Sequence, residues 1–220
     1  MPLLTEPEAA ELLTSHGVPV APWRLARDGE EAVRYADEMG YPVVVKAVRR
    51  GLAHKSDAGA VRLDLRDAAA VRTAVAAIGE SIWPGRVRVL APGEGFLVQA
   101  MIRGGLEMIV GGQRDPQFGP VVMVGLGGIF AEVFQDVTFL LVPCRDEDVL
   151  GALSGLRCAR LLGGVRGQPP RDVSALASVV QAVGRVLEER PEVVSVDINP
   201  LAVLARGQGC VALDALVEIR

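Results

Sequence analysis

Apolar positions along the chain form two kinds of segment, and these alternate from one end of the sequence to the other. Val43–Ala47 is apolar except for Lys46, which is typical of a buried strand. Residues 61–65 and 86–90 alternate apolar and polar side chains, so each predicts a strand with one buried face. Segments that carry helix-capping residues separate these strands and predict a mixed fold.

Five segments carry the residues that begin helices. Thr5 and Glu8 form a capping-box pattern ahead of a short helix that ends near Gly17. An aspartate opens each of the other four helices, because its side chain can accept from unpaired N–H groups of the first turn. These aspartates are Asp28, Asp67, Asp146 and Asp172, and the predicted helices are 30–39, 68–78, 146 to about 162, and 173–190.

The pattern changes after residues 93–95, where short apolar runs are separated by glycine and proline. Such runs favour antiparallel strands, here Phe96–Ile102, Glu107–Gly111 and Val121–Gly125. Two final strands, Val193–Ile198 and Cys210–Ile219, are joined across the turn-forming residues 206–209. We therefore predict an α+β fold with two lobes, a smaller one over 20–95 and a larger one formed by 1–19 and 96–220.

Composition and charge exclude several classes of function. The net charge is −4 with no long basic run, so we expect no nucleic-acid partner. The longest apolar run, Gly119–Ala131, is too short to cross a bilayer, and the acidic N-terminus does not match a secretory signal. Three widely spaced cysteines form neither a zinc pattern nor a disulfide framework, which favours the cytoplasm.

A basic segment follows the first buried strand. Lys46 ends that strand, and Arg49, Arg50, His54 and Lys55 follow in a glycine-containing loop. Cations hold phosphate oxygens, and an imidazole nitrogen can carry a phosphoryl group, so the segment is typical of phosphoryl transfer. The alternative is a solvated basic loop with a lysine that reaches water along its apolar stem.

A second cluster combines carboxylates with an amide. Asp197 and Asn199 are two residues apart and share one face of a strand, and Asp214 lies in the following strand. Hard oxygen ligands of this kind suit magnesium, with nucleotide phosphates and water completing its shell. The alternative is that residues 197–200 form only a turn stabilised by Asx side chains.

Two glycine-bordered segments add weaker signals. Residues 125–128, Gly-Leu-Gly-Gly, could present backbone N–H groups to an anion, and a plain tight turn is an equally good interpretation. The backbone of Gln99, Ala100 and Met101 could recognise an adenine edge, and Glu107 could bond ribose hydroxyls. A simple hairpin with a solvated glutamate fits that second segment as well.

Taken in order, these blocks resemble an ATP-grasp module, in which nucleotide binds between two lobes. The resemblance covers nearly the whole chain and is closest to the β subunit or β-type domain of the ADP-forming acyl-CoA synthetases, relatives of succinyl-CoA synthetase. The blocks that carry it are residues 4–9, 42–46, 54–59, 114–120, 125–130 and 197–201. One departure is Ala60, where the family usually has the second glycine of a Gly-Gly pair.

The resemblance implies a role for each candidate residue. Lys46 and Lys55 would bind nucleotide phosphates, Gln99 to Met101 would form the adenine-side hinge, and Glu107 would hold the ribose. Asn199 and Asp214 match magnesium ligands. His54 matches a histidine that receives the phosphoryl group from a partner's phosphohistidine and passes it to ADP, with Asp197 orienting it.

The expected reaction is acyl-CoA + ADP + phosphate ⇌ acid + CoA + ATP. No segment of the chain resembles a CoA-binding domain, so we expect a hetero-oligomer with a CoA-binding α subunit, or a fused α-type domain. Two other interpretations stay open at this point. One is a regulatory ATP-grasp domain of a protein acyltransferase, and the other is a stand-alone ligase that makes an acyl phosphate.

Overall fold

The computed structural model describes residues 2–52, 58–85, 90–128 and 134–220. The chain divides into two compact units. The larger contains the residues up to Val20 together with Arg103–Arg220, and the smaller contains Ala21–Ile102. In chain order the described elements are α1 (Glu6–Ser15), β1 (Trp23–Ala26), α2 (Gly29–Met39), β2 (Val43–Val48), β3 (Val61–Leu65), α3 (Ala68–Ile82), β4 (Gly95–Ala100), β5 (Leu106–Asp115), β6 (Gly119–Leu126), β7 (Val137–Leu141), α4 (Asp146–Gly155), α5 (Ala159–Leu162), α6 (Val173–Glu189), β8 (Val193–Val203), β9 (Cys210–Ala212) and β10 (Ala215–Ile219).

The smaller unit is a four-stranded antiparallel sheet in the order β1-β4-β2-β3. Val43, Val45 and Ala47 of β2 pack with residues of α2 and α3 into the core of this unit. The Asp28 carboxylate accepts from the N–H groups of Glu30 and Glu31, which confirms the predicted start of α2. Most of the strand predicted at 86–90 lies outside the described residues.

The boundary between the lobes differs from the prediction. We placed residues 96–102 in the larger lobe, but β4 pairs along its full length with β2 and also with β1. Local sequence pattern indicates that a run forms a strand but not which strand it pairs with, because neighbouring strands of a sheet need not be consecutive in the chain. Strand β4 therefore belongs to the smaller unit.

The larger unit is built on an antiparallel sheet in the order β10-β8-β5-β6-β7, with the short β9 pairing with β8. Helix α6 packs against one face, and its apolar residues join those of β5, β6 and β8 in a single core. We call the opposite face of this sheet the open face. It carries the predicted carboxylate cluster.

Two further predictions change in detail. The strand predicted at 193–198 continues to Val203, and β9 pairs with its end across the predicted turn at 206–209. The helix predicted from Asp146 to about Leu162 is interrupted after Gly155. The Asp136 carboxylate accepts hydrogen bonds from the N–H groups of Arg157 and Cys158 at this break.

No described helix is both long and apolar enough to span a membrane. All three cysteines are free thiols.

Candidate functional site

Asp197, Asn199 and Asp214 lie together at the β8–β10 side of the larger sheet. Ile198 between them is fully buried in the core, so its two neighbours on β8 point to the open face. The N–H of Asn199 donates to the carbonyl of Asp214 at 3.2 Å, which fixes the two residues side by side. The structure thus brings together the three residues that the sequence had grouped.

The glycine turn after β6 is attached to this cluster. The N–H of Gly128 donates to Oδ1 of Asn199 at 3.2 Å, and the N–H of Gly127 donates to the carbonyl of Glu107 at 2.9 Å. Gly128 has φ +63°, and a Cβ built there would collide with the Glu107 carboxylate. Both N–H groups therefore have protein partners, and the turn positions Glu107 and Asn199.

The electrostatics of the cluster raise the pKa of Asp197. Part of this side chain reaches solvent, yet the surrounding protein desolvates the carboxyl and raises its pKa, and the nearby Asp214 charge raises the pKa further. A carboxyl with a raised pKa lies closer in proton affinity to an imidazole, which suits it to hydrogen-bond a histidine. Among the described residues, no three His, Cys, Asp or Glu side chains converge as a metal cage.

Lys46 and Gln99 lie on one face of the smaller sheet, opposite the α2–α3 core. Lys46 is opposite Leu97 and Val44 is opposite Gln99 in the β2–β4 register, which puts all four on that face. Lys46 and Gln99 are nonetheless almost completely buried, with exposed fractions of 5% and 3%. Lysine is rarely buried to this extent in proteins, which makes the position of Lys46 unusual.

The predicted adenine-side hinge is only partly available. The N–H of Ala100 donates to Pro22 and that of Met101 donates to Pro42, both carbonyls of the same unit. Those two N–H groups therefore have partners before any ligand binds. An adenine edge would have to be recognised by other groups of this segment.

His54 and Lys55 lie outside the described residues, and the structure describes the chain on both sides of them. The Arg49 guanidinium donates to the carbonyl of Ile82, and the Ser81 hydroxyl donates to the carbonyl of Ala58. Both flanks are thus attached to the C-terminal end of α3. Ala60, the departure from the family pattern, is fully buried in the core of the smaller unit.

Sequence reasoning missed Asp136. Asp136 is buried, and its carboxylate accepts hydrogen bonds from the N–H groups of Arg157 and Cys158 at 2.9 and 2.7 Å. Its carbonyl accepts from Leu126 at the end of β6. Burial alone would raise the pKa of this carboxyl, but the two N–H donors bring it below its ordinary value. No local motif marks such a residue, because all its partners are distant in sequence.

Comparisons with known proteins give the family. The family model of the ATP-grasp domain matches residues 2–219, which confirms the predicted fold. The β subunit of ADP-forming acetate–CoA ligase I of Pyrococcus furiosus is 40% identical over 215 residues, covering 96% of this chain and 90% of that protein. The ADP-forming 4-hydroxybutyrate–CoA ligase of Nitrosopumilus maritimus is 37% identical over 99% of this chain, which spans only 31% of that longer protein.

A solved structure agrees. It is the dinucleotide-forming acetyl-coenzyme A synthetase 1 of Ca. Korarchaeum cryptofilum with coenzyme A and Mg-AMPPCP, its phosphohistidine segment pointing towards the nucleotide binding site. The match has a TM-score of 0.85 at 38% identity and covers 99% of this chain and 93% of that one. The family model, the curated relatives and the solved structure thus agree, and the chain belongs to the ATP-grasp family, among the β subunits and β-type domains of the ADP-forming acyl-CoA synthetases.

Proposed function

We propose that this chain binds ADP or ATP with magnesium and moves a phosphoryl group between a phosphohistidine and the nucleotide. The observation that carries the proposal is the Asp197, Asn199 and Asp214 cluster with its attached glycine turn. In the complete enzyme this step serves the reaction acyl-CoA + ADP + phosphate ⇌ acid + CoA + ATP. The relatives named as ADP-forming CoA ligases support that assignment.

We assign the nucleotide contacts to the residues that the family resemblance identified. Lys46 and Lys55 bind phosphate oxygens, and Glu107 bonds the ribose hydroxyls. Residues 99–101 contact the adenine through groups other than the N–H groups of Ala100 and Met101. The chemistry of Lys46 supports its assignment, because a lysine ammonium is a common ligand of phosphate oxygens.

The residues present fit a magnesium ion. Asn199 Oδ1 has two lone pairs, and the Gly128 N–H uses one of them, so the contact orients the amide and leaves the other for a cation. Asp214 adds a carboxylate, the oxygen ligand that magnesium prefers. When bound, the ion would neutralise charge on the nucleotide phosphates.

His54 carries the phosphoryl group during the transfer, and Asp197 orients the imidazole. The neutral imidazole of His54 forms a nitrogen–phosphorus bond as the bond to the partner's histidine breaks. A terminal oxygen of ADP then attacks the same phosphorus and releases His54 unchanged. Asp197 hydrogen-bonds an imidazole during this exchange and holds its tautomer. Two short in-line steps replace one transfer over a long distance.

The binding sites for the acyl group and CoA lie on a partner chain or on an attached domain. Similar proteins occur both as a β subunit that this chain nearly covers and as a protein three times as long. We propose a hetero-oligomer with a CoA-binding α subunit, or a fused α-type domain. We further propose that the enzyme acts in the cytoplasm, where the free thiols of Cys144, Cys158 and Cys210 would stay reduced.

Calorimetric titration with Mg·ADP tests the nucleotide site. Asn199→Ala and Asp214→Ala should each weaken binding at least about tenfold, since a lost ligand worth ~1.4 kcal/mol changes the Kd by that factor. Glu147→Ala is the matched control, because it removes a carboxylate from the exposed surface of the same unit. If the parent chain is folded but does not bind Mg·ADP, or if both variants bind like the parent, the proposal is wrong.

A further inference from the structure

Asp136 is a buried carboxylate of the larger unit that has no part in the proposed transfer. It lies just before β7 and is 9% exposed. Its carboxylate accepts from the N–H groups of Arg157 and Cys158 at 2.9 and 2.7 Å, and the Cys158 thiol donates to it as well. Hydrogen bonds to an ionised carboxylate are short and strong, so these contacts attach Asp136 to the break between α4 and α5.

The backbone of Asp136 holds the end of β6. Its carbonyl accepts from the N–H of Leu126 at 3.0 Å, one residue beyond the last β6–β7 pair, Gly125 with Val137. A Cβ on Gly125 would collide with that same carbonyl, so β6 passes directly against Asp136. The carboxylate and the carbonyl of one residue therefore attach the end of β6 to the break between the two helices.

The glycine turn begins immediately after Leu126. Its N–H groups, at Gly127 and Gly128, donate to the Glu107 carbonyl and to Asn199 Oδ1. A Cβ on Gly127 would collide with the backbone of β5, so the turn lies tightly against that strand. A displacement of Leu126 would therefore move the turn and, with it, the proposed ligands of ribose and of magnesium.

We propose that Asp136 is a positioning residue for the nucleotide site, which it supports through Leu126 and the glycine turn. The proposal rests on the proposed function, because it requires that Glu107 and Asn199 bind Mg·ADP. The Asp136 carboxylate is buried and accepts from backbone N–H groups, so it acts through the backbone and not on the nucleotide. Replacement of residues that support metal ligands typically changes affinity by about 10- to 100-fold.

Calorimetric titration of Asp136→Asn with Mg·ADP tests this role. The amide keeps the size of the carboxyl group, but it has only one acceptor oxygen and turns an NH2 group toward the donors of residues 157 and 158. The Kd for Mg·ADP should rise at least about tenfold in the folded variant. The Mg²⁺ concentration that gives half-maximal ADP binding should rise as well, because Asn199 would be displaced.

Asp172→Asn is the matched control. Asp172 also accepts from N–H groups of its own unit, those of Ala175, Gly207 and Gly209, and none of these belongs to the glycine turn. Both variants should lose stability in urea titrations, because each leaves N–H groups without their acceptor. Only Asp136→Asn should lose affinity for Mg·ADP, whereas a purely structural role of Asp136 would leave that affinity unchanged.

Cys158→Pro is the second variant, which decides the question if Asp136→Asn does not fold. Proline suits the φ of −76° at Cys158 and removes one N–H donor, while the Asp136 carboxylate stays in place. This variant should also raise the Kd for Mg·ADP, by less than Asp136→Asn. If it is folded and binds like the parent, the positioning role is overturned.

The remaining outcomes separate the two proposals. If the parent binds Mg·ADP and folded Asp136→Asn binds it equally well, the positioning role is wrong and the proposed function stands. If Asp172→Asn loses as much affinity as Asp136→Asn, the loss reflects general destabilisation, and the positioning role is again wrong. If the folded parent does not bind Mg·ADP, both proposals are wrong.

Discussion

Gly128 connects the predicted ribose ligand to the predicted metal ligand. Its N–H donates to Asn199, and a Cβ at this position would collide with the carboxylate of Glu107. Neither contact follows from the sequence, where Gly-Leu-Gly-Gly is as typical of a plain turn. The sequence did group Asp197 with Asn199, because residues two apart on a strand share a face whatever the strand pairs with.

Gly128→Ala should weaken Mg·ADP binding by about tenfold or more, because its methyl group would displace the Glu107 carboxylate. The variant should also lose ~1 kcal/mol of unfolding free energy, the cost of a side chain in the left-handed region. Gly207→Ala is the control, since Gly207 has φ +83° and nothing lies within 4 Å of its Cβ position. We expect equal losses of stability in urea titrations and weaker calorimetric binding only for Gly128→Ala. If Gly128→Ala and Gly207→Ala bind Mg·ADP with equal affinity, Glu107 does not contact the nucleotide.

At the scale of elements, the sequence correctly predicted features that depend on neighbouring residues, such as the starts of helices. The carboxylates of Asp28, Asp67 and Asp172 each accept from an N–H of the following first turn, as expected. The sheet that β4 joins was predicted wrongly, because strand partners are chosen by distant contacts. The end of β8 was placed too early because proline usually interrupts a strand, yet the Pro200 carbonyl still accepts from Leu213 and pairing continues to Val203.

Arg114 shows how a residue in a family-like block can be structural. Its guanidinium donates to the carbonyls of Leu187 and Arg190 at the C-terminal end of α6, and to that of Val193 where β8 begins. A cation that satisfies carbonyls left unpaired at a helix end stabilises that end. The side chain thereby joins β5, α6 and β8 in one arrangement.

Arg114→Met should lower the unfolding free energy by ~2–3 kcal/mol, since it removes charge-assisted hydrogen bonds and leaves carbonyls without partners. Affinity for Mg·ADP should stay at the parent value, measured in the folded protein. Arg145→Met, which removes an arginine that is 83% exposed and paired only at the surface, should change stability by less than about 0.5 kcal/mol. A loss of nucleotide affinity without a loss of stability would mean that Arg114 belongs to the binding site.

At the scale of the molecule, each unit has its own apolar core, one on each sheet. The low aromatic content is visible in both, since valine, leucine and alanine fill most of their positions. Candidate residues are divided between the units, with Lys46 and His54 in the smaller one and Asn199 and Asp214 in the larger one. A sequence pattern can predict each group, but it cannot predict which partner completes the reaction.

The chain holds two histidines, so one pair of variants can test the phosphoryl carrier. The ring of His16 lies 2.8 Å from the carbonyl of Leu12 and 3.5 Å from Glu189, which gives it a structural role at the end of α1. The chain is mixed with its CoA-binding partner, acyl-CoA, phosphate and Mg·ADP, and ATP is measured together with acid-labile, base-stable phosphate on the protein. His54→Ala should abolish both the label on this chain and ATP formation while still binding Mg·ADP, because the imidazole acts on phosphorus and not on the nucleotide. His16→Ala should keep the label and the turnover. Undiminished turnover by His54→Ala would mean that the partner's phosphohistidine reaches ADP directly.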